Sequence, residues 1–296
     1  MPLSDFLLHV FCLVDDLYRQ LVRTPIRSRG PRATALSDPE VITIELVGEF
    51  LGLDHDQGLF EHFRRYHAAE FPGLVRVHRT TFARQAANLY AVKKPMHAHL
   101  AERLAAREPV WLVDSLPIHA CAFGRAGFAR RFRGDAGYGR DPTRRGLMYG
   151  FRRHARATPA GAIVAFDLAP ANVSDPAMID QLGPPPGSVG VGDRGYWSPR
   201  VRAELAGAGV TFLAPYQSRK TDPDPHRSRR LSRVRWVIET AFGQLAERFR
   251  AKRTWAPDLW HLSHRVIRTV LSHTAAVWIN LTRGRSALDF DGLITA

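Results

Sequence analysis

Three acidic residues stand out by what surrounds them: Asp114 in Val113-Asp114-Ser115, Asp193 in Gly192-Asp193-Arg-Gly-Tyr196, and Glu239 in Val237-Ile238-Glu239-Thr240. Asp193 ends a short apolar run, Val189 to Val191, and is followed by a glycine, an aromatic pair and a helix-opening Ser198-Pro199. That pattern predicts a buried strand handing one carboxylate to the C-terminal edge of a sheet, where open α/β sheets place their ligands. Glu239 has Val237, Ile238 and Phe242 beside it on a helical stretch, at the boundary of a buried face. A carboxylate there is costly unless a cation or a basic partner attends it. Three converging carboxylates, with no cysteine or paired-histidine motif among them, suit hard oxygen-loving ions, Mg²⁺ or Mn²⁺. Two such ions, roughly 3.5–4 Å apart, activate a water or a 3′-hydroxyl and steady the leaving oxygen in phosphodiester chemistry.

The elements that must position these groups follow from periodicity. Residues 4 to 24 predict an amphipathic helix with Phe6, Val10, Leu13, Leu17 and Leu21 on one face. A basic, acid-free linker carries Arg23, Arg27, Arg29 and Arg32 among Pro25, Gly30 and Pro31. Ser37-Asp38-Pro39-Glu40 is a capping box that opens a helix to about Leu51. Further helices are expected over 57–69 and 80–105, and Thr80, Thr81, Arg84 and Gln85 resemble the start of a DNA-reading helix or, equally, a solvated basic face. From Pro109 the texture turns to strands: 110–118, a hairpin of 147–157 with 162–168, then 189–192 and 210–214. Helices are expected from Ser174 to Leu182, from Pro199 to Ala206, and from Ser232 to Phe249.

The order β-β-β-α-β-α-β-α is that of an RNase H-like fold, an α/β (α+β) architecture with a mixed five-stranded sheet flanked by helices. In that topology the first strand is central, antiparallel to the second and parallel to the fourth, so Asp114 and Asp193 become neighbours although 79 residues apart. The expected organisation is an all-helical N-terminal region, 1–105, followed by the RNase H-like domain with a C-terminal helix, 106–296.

Charge points to the partner. The 296 residues carry a formal net charge of +14, and the pI is near 10.7. Such a balance favours a polyanion, nucleic acid above all, although arginine richness also follows from a GC-rich genome. Ten arginines lie between Gly124 and Arg156 against Asp135 and Asp141, and seven basic residues between Gln217 and Arg235 against Asp222 and Asp224. Two cysteines, Cys12 and Cys121, give neither a disulfide framework nor a zinc site, as expected of a reducing cytoplasm. The apolar run Phe6 to Val14 lacks the marks of a signal peptide, and 266–281 is too short and too interrupted to span a bilayer, so no membrane association is expected.

At these residues the chain resembles the DDE transposases of bacterial insertion sequences. The matching pieces are Val113-Asp114-Ser115 with Pro117, Tyr149-Gly-Phe-Arg-Arg-His154, Pro170-Ala-Asn-Val-Ser-Asp175, Gly192-Asp-Arg-Gly-Tyr196 and Arg235-Trp-Val-Ile-Glu239-Thr-Ala-Phe-Gly-Gln-Leu245, in the family's order over about residues 110 to 255. The resemblance implies a metal-binding triad of Asp114, Asp193 and Glu239 holding two Mg²⁺ or Mn²⁺ ions, cleavage at insertion-sequence ends, and strand transfer into target DNA. It implies double-stranded DNA as partner, both terminal inverted repeats and target, with a homodimer or larger assembly on it, in the bacterial cytoplasm at the nucleoid. Arg235, four residues before the glutamate and so on its face, is implied as a contact to the terminal phosphate. Arg152 and His154 of the second motif, Arg84 and Arg248 complete the expected DNA contacts. The related signature also has a tyrosine seven before the glutamate and a lysine seven after it, where this chain has Ser232 and Ala246; Arg248 or Arg250 is the nearest replacement for the lysine. Glu239 follows Asp193 by only 46 positions, which leaves no room for an inserted domain. Two other readings stay open: a nuclease of the same fold that does not join strands, and a DNA-binding relic without catalysis.

Several neighbours have simpler expected roles. Asp167 and Asp175 flank the same sheet, with Asp175 read as a helix cap. Glu247, two turns from Glu239, is not expected as the third acid. His119 is assigned a structural or phosphate-contact role, Cys121 and Met148 are assigned to the core, and Trp197 and Trp236 to packing.

Overall fold

The computed structural model describes residues 1–23, 34–142 and 144–295. Most of the basic linker, with Pro25, Arg27, Arg29, Gly30, Pro31 and Arg32, lies outside the described residues. The chain divides into two compact units, residues 1–100 with 245–250 and 260–296, and residues 101–244 with 251–259.

The first unit is helical. It comprises α1 (Leu3–Leu21), α2 (Asp38–Phe50), α3 (Asp56–Tyr66), α4 (Arg79–Asn88), most of α5 (Tyr90–Ala105) and nearly all of α8 (Leu259–Thr282). In α1 the stripe that is buried is Phe6, Val10, Val14 and Leu17, at helical spacing. The capping box opens α2 as expected: Glu40 N–H donates to Ser37 Oγ at 3.3 Å, and Ser37 N–H to the Glu40 carboxylate at 2.6 Å. Beyond Glu40 every residue of α2 is buried, Glu45 and Glu49 included. Two buried carboxylates require counter-charges. Lys93 Nζ donates to Glu45 at 2.7 Å and Arg268 Nε to Glu49 at 2.6 Å. Burial pushes Glu45 up, yet Lys93, His264 and Arg268 outweigh it and hold the carboxyl at about 2. The stretch read as one helix over 80–105 is two, meeting at Leu89.

The second unit is built on a mixed sheet of six strands: β1 (Val110–His119), β2 (Gly137–Asp141), β3 (Gly146–Ala157), β4 (Ile163–Pro170), β5 (Val189–Val191) and β6 (Thr211–Leu213), with α6 (Pro199–Gly207) and α7 (Arg227–Glu247, to Gln244 in this unit). The order is β2-β3-β1-β5-β6, and β4 also pairs with β3. β1 runs antiparallel to β3, with Asp114 opposite Ala155, and parallel to β5, with Leu112 opposite Val191. This is the RNase H-like arrangement, with one strand more than the expected five. The addition, β2, lies in the arginine-rich segment and pairs antiparallel with β3. The expected helix from Ser174 to Leu182 is instead two short 3₁₀ turns, Asp175–Met178 and Asp180–Leu182, ended at Gly183 with φ +58°. Trp111 and Val113 of β1, Tyr196, Val201 and Leu205 of the β5–α6 region, and Phe212 of β6 form the core beside the sheet. Among the described residues no helix is long and apolar enough to cross a membrane.

Candidate active site

β1 is buried on either side of its acidic position: Trp111, Leu112 and Val113 before it and Leu116, Pro117 and Ile118 after it are buried, whereas Asp114 and Ser115 are half-buried. β5 stops at Val191, and Gly192 N–H continues the ladder to Leu213 O of β6 at 3.0 Å. The chain then breaks into the 3₁₀ turn Arg194–Tyr196, which Asp193 caps by accepting from Tyr196 N–H at 3.3 Å. Because Leu112 pairs with Val191, two further residues along each parallel strand bring Asp114 and Asp193 to the same sheet edge. α7 contributes Arg235 and Glu239, one turn apart.

Asp114 and Glu239 meet on one guanidinium. Arg235 Nη2 lies 3.1 Å from Asp114 Oδ2 and 3.2 Å from Glu239 Oε1. Arg235 is 13% exposed and Asp114 18%, while Glu239 stands further out at 56%. The Asp114 carboxyl is pushed up to about 7: burial raises it most, Arg235 opposes the rise, and the negative charges of Asp193 and Glu239 add to it. Asp193 is raised for the same leading reason, with Arg235 opposing and Asp175 adding to the rise.

A cation-demanding cluster of hard oxygen donors of this kind fits Mg²⁺ or Mn²⁺ in its chemistry. Among the described residues no group of three His, Cys, Asp or Glu side chains is drawn together on a common point for a metal ion, and Arg235 supplies the positive charge among the acids.

The other expected contacts are placed as follows. Arg152, on β3, donates to Asp175 at 3.2 Å and to Arg140 O at 2.6 Å. His154 is fully buried, shares a 3.0 Å hydrogen bond between Nδ1 and the Tyr196 hydroxyl, and is kept neutral by burial and by Arg152, its pKa lowered to about 4. Arg84 is exposed on α4, whereas Gln85 is buried and donates to Leu36 O and to Asp38. Arg248, in the first unit, pairs with Asp291 and lies over the Phe50 ring. His119 is bonded to buried Asp141 at 2.7 Å.

Two residues at this edge have roles that the sequence did not give them. Asp175 makes no cap; its carboxylate is turned to Ser115 and Arg152. Tyr196 is 1% exposed and anchors the Asp193 turn to β3 through His154. Trp197 does pack, its ring 3.8 Å from that of Tyr216, but Trp236 is 57% exposed and does not. It borders a cleft of about 790 Å³ that Arg194, Tyr216, Arg229, Ser232 and Arg233 also line. From the first basic block, Arg125, Arg130, Arg131, Arg133, Arg140, Arg144 and Arg145 are exposed.

A family model described as "Transposase DDE domain" matches residues 104–255. The transposase for insertion sequence element IS1106 of Neisseria meningitidis serogroup B is 28% identical over 145 residues, 47% of this chain and 48% of that protein. The chain thus spans about half the length of the curated relative it matches. No solved structure matches it.

Proposed function

The chain belongs to the DDE-domain transposases, and from that premise we propose that it cuts DNA at the ends of an insertion sequence and joins the freed 3′ ends to target DNA. Asp114, Asp193 and Glu239 are the acidic triad of this reading. The observation that carries it is the meeting of Asp114 from β1 and Glu239 from α7 on Arg235, with Asp193, just past β5, near enough for its charge to raise the Asp114 carboxyl. Two bound divalent cations, Mg²⁺ or Mn²⁺, would be held by these three carboxylates and would supply charge neutralisation and activation of a water or 3′-hydroxyl. Arg235, already at the acidic cluster and one helical turn from Glu239, is positioned to take a terminal phosphate on the same face. Tyr196 and His154 fix the turn that carries Asp193, so their work is orientation, from inside the fold. The exposed arginines of 125–145 guide the DNA backbone, and the helical region of residues 1–105, with Arg84 outward on α4, binds the terminal inverted repeats. Pairing two ends calls for a dimer or larger assembly on the DNA, in the bacterial cytoplasm at the nucleoid.

The test is incubation of the purified protein with labelled element-end DNA and Mg²⁺ or Mn²⁺, beside Asp193→Asn. Nicked and joined products that vanish in the variant are expected. Nicking without joining would make the protein a nuclease of this fold, and binding without cleavage a DNA-binding relic.

A further inference from the structure

Asp175 is an acidic residue at this edge that the proposed chemistry leaves without work. It follows β4 in the 3₁₀ turn Asp175–Met178, and its side chain is 16% exposed. Its Oδ1 accepts from Ser115 Oγ at 3.3 Å and from Arg152 Nη1 at 3.2 Å; the same nitrogen is 3.3 Å from Oδ2. Arg152 also reaches Ser115 Oγ at 3.4 Å, and His154 Nδ1 lies 3.9 Å from Asp175. Ser115 is the residue after Asp114, and its backbone N–H donates to Asp114 Oδ1 at 2.8 Å. Asp175 is therefore joined to Asp114 through a single residue. It meets Asp193 as well: a Cβ on Gly195 would stand 2.9 Å from Asp175 Oδ2 and 3.0 Å from Asp193 Oδ1, so the two carboxylates flank one α-carbon that only glycine leaves free.

We propose that Asp175 is a positioning residue of the cleavage site, which anchors Ser115 beside Asp114 and neutralises Arg152 so that its guanidinium does not compete with a divalent cation for the neighbouring carboxylates. The inference rests on the assignment of Asp114, Asp193 and Glu239 as the metal-holding acids. Its core is electrostatic. Asp175→Asn keeps an oxygen for Ser115 and Arg152 but leaves uncompensated an arginine that also reaches Ser115 Oγ, one residue from Asp114. Removing Arg152 as well removes the competitor, and a double-mutant cycle isolates the coupling.

The experiment is Mn²⁺ binding to the full chain without DNA, followed by electron paramagnetic resonance of the free ion, with thermal melts to verify folding. Asp175→Asn is expected to weaken Mn²⁺ binding by about tenfold, the lower end of what loss of an outer partner costs a metal site. Arg152→Gln alone, in which Asp175 is intact, should bind at least as tightly as the wild type. The Asp175→Asn/Arg152→Gln chain should recover to within about threefold of it, a rescue that a merely structural role does not give. Wild-type affinity in Asp175→Asn, or weakening in Arg152→Gln, would overturn the proposal, and the second variant decides the matter even where the first does not fold. Asp114→Asn separates the two levels: if it binds Mn²⁺ as the wild type does, or if neither binds, the acid triad itself is misassigned and this inference falls with it.

Discussion

Asp114 bears the electrostatic strain of the sheet edge. It is largely buried, two other carboxylates push on it, and one guanidinium answers them, so its pKa stands at about 7. The unfolded value is about 3.9. A folded pKa above the unfolded one means that the native state favours the protonated form. The resulting stability is complete below about pH 4 and is lost as pH rises through about 7. Asp114→Asn has the same shape and no charge to desolvate, and Arg235 keeps Glu239 at 3.2 Å. In metal-free buffer the variant should therefore melt higher than the wild type at pH 8 and close to it at pH 4. The difference should be of the order of 1–3 kcal/mol, since a shift of one unit is worth about 1.4 kcal/mol. Asp193→Asn should show the same sign, because burial raises that carboxyl too. An equal change in melting temperature at both pH values would mean that the charge of Asp114 is not what costs stability here.

At the scale of elements, the pairing of β1 with β3 decides whether Asp114 reaches the edge at all. Gly150 stands opposite His119, and a Cβ on it would meet Ile118 O at 2.1 Å and Ala120 N at 2.8 Å. Those are backbone atoms at the end of the neighbouring strand β1 and cannot rotate away. Gly150→Ala is expected to cost about 3 kcal/mol or more, which for a chain of this size is a fall of roughly 6–12 °C in Tm. Gly243 is the opposite case, a glycine inside α7 with nothing within 4 Å of its missing Cβ. Gly243→Ala should raise stability by roughly 0.5–1 kcal/mol by the helix propensity alone. The same contrast explains what could be read without a structure. The strand that carries Asp114, the short one that runs out just before Asp193, the capping box of α2 and the hairpin of β3 with β4 declare themselves through local alternation or capping chemistry. β2 does not: Gly137-Tyr-Gly-Arg-Asp141 lacks an apolar alternation, and its glycines are needed where Asn172 and Ala171 press close. Asp175 stands in Ser-Asp-Pro, a local signature for a helix start, while the partners that claim it, Ser115 and Arg152, are 60 and 23 residues away. Glu49 likewise reads as an ordinary helix carboxylate until Arg268, 219 residues on, reaches it. Local patterns reveal elements; pairings across the sequence reveal which charges are already spent.

For the whole molecule, that accounting decides how much of the +14 is available to a partner. Arg268 is consumed by Glu45, Glu49 and Asp56, Arg152 by Asp175, and Arg230 by Asp224. Seven arginines between Arg125 and Arg145 nevertheless remain exposed, in a stretch whose acids are Asp135 and the buried Asp141. If that surface carries DNA, its affinity is set by released counterions, and log K must fall linearly with log salt at about −0.9 per phosphate neutralised. With six to ten phosphates engaged, binding to an arbitrary duplex should weaken by about 10³–10⁵ between 50 and 200 mM salt. Replacing Arg130, Arg131 and Arg133 by glutamine should make the slope shallower by about one for each phosphate that is no longer neutralised, and should do so equally for element-end and unrelated DNA. Fluorescence anisotropy over a salt series measures both quantities. A slope the substitutions leave untouched would mean that this arginine block reflects base composition of the gene, and that the DNA backbone is held elsewhere, with α4 and the Arg229–Arg233 side of α7 the next surfaces to neutralise.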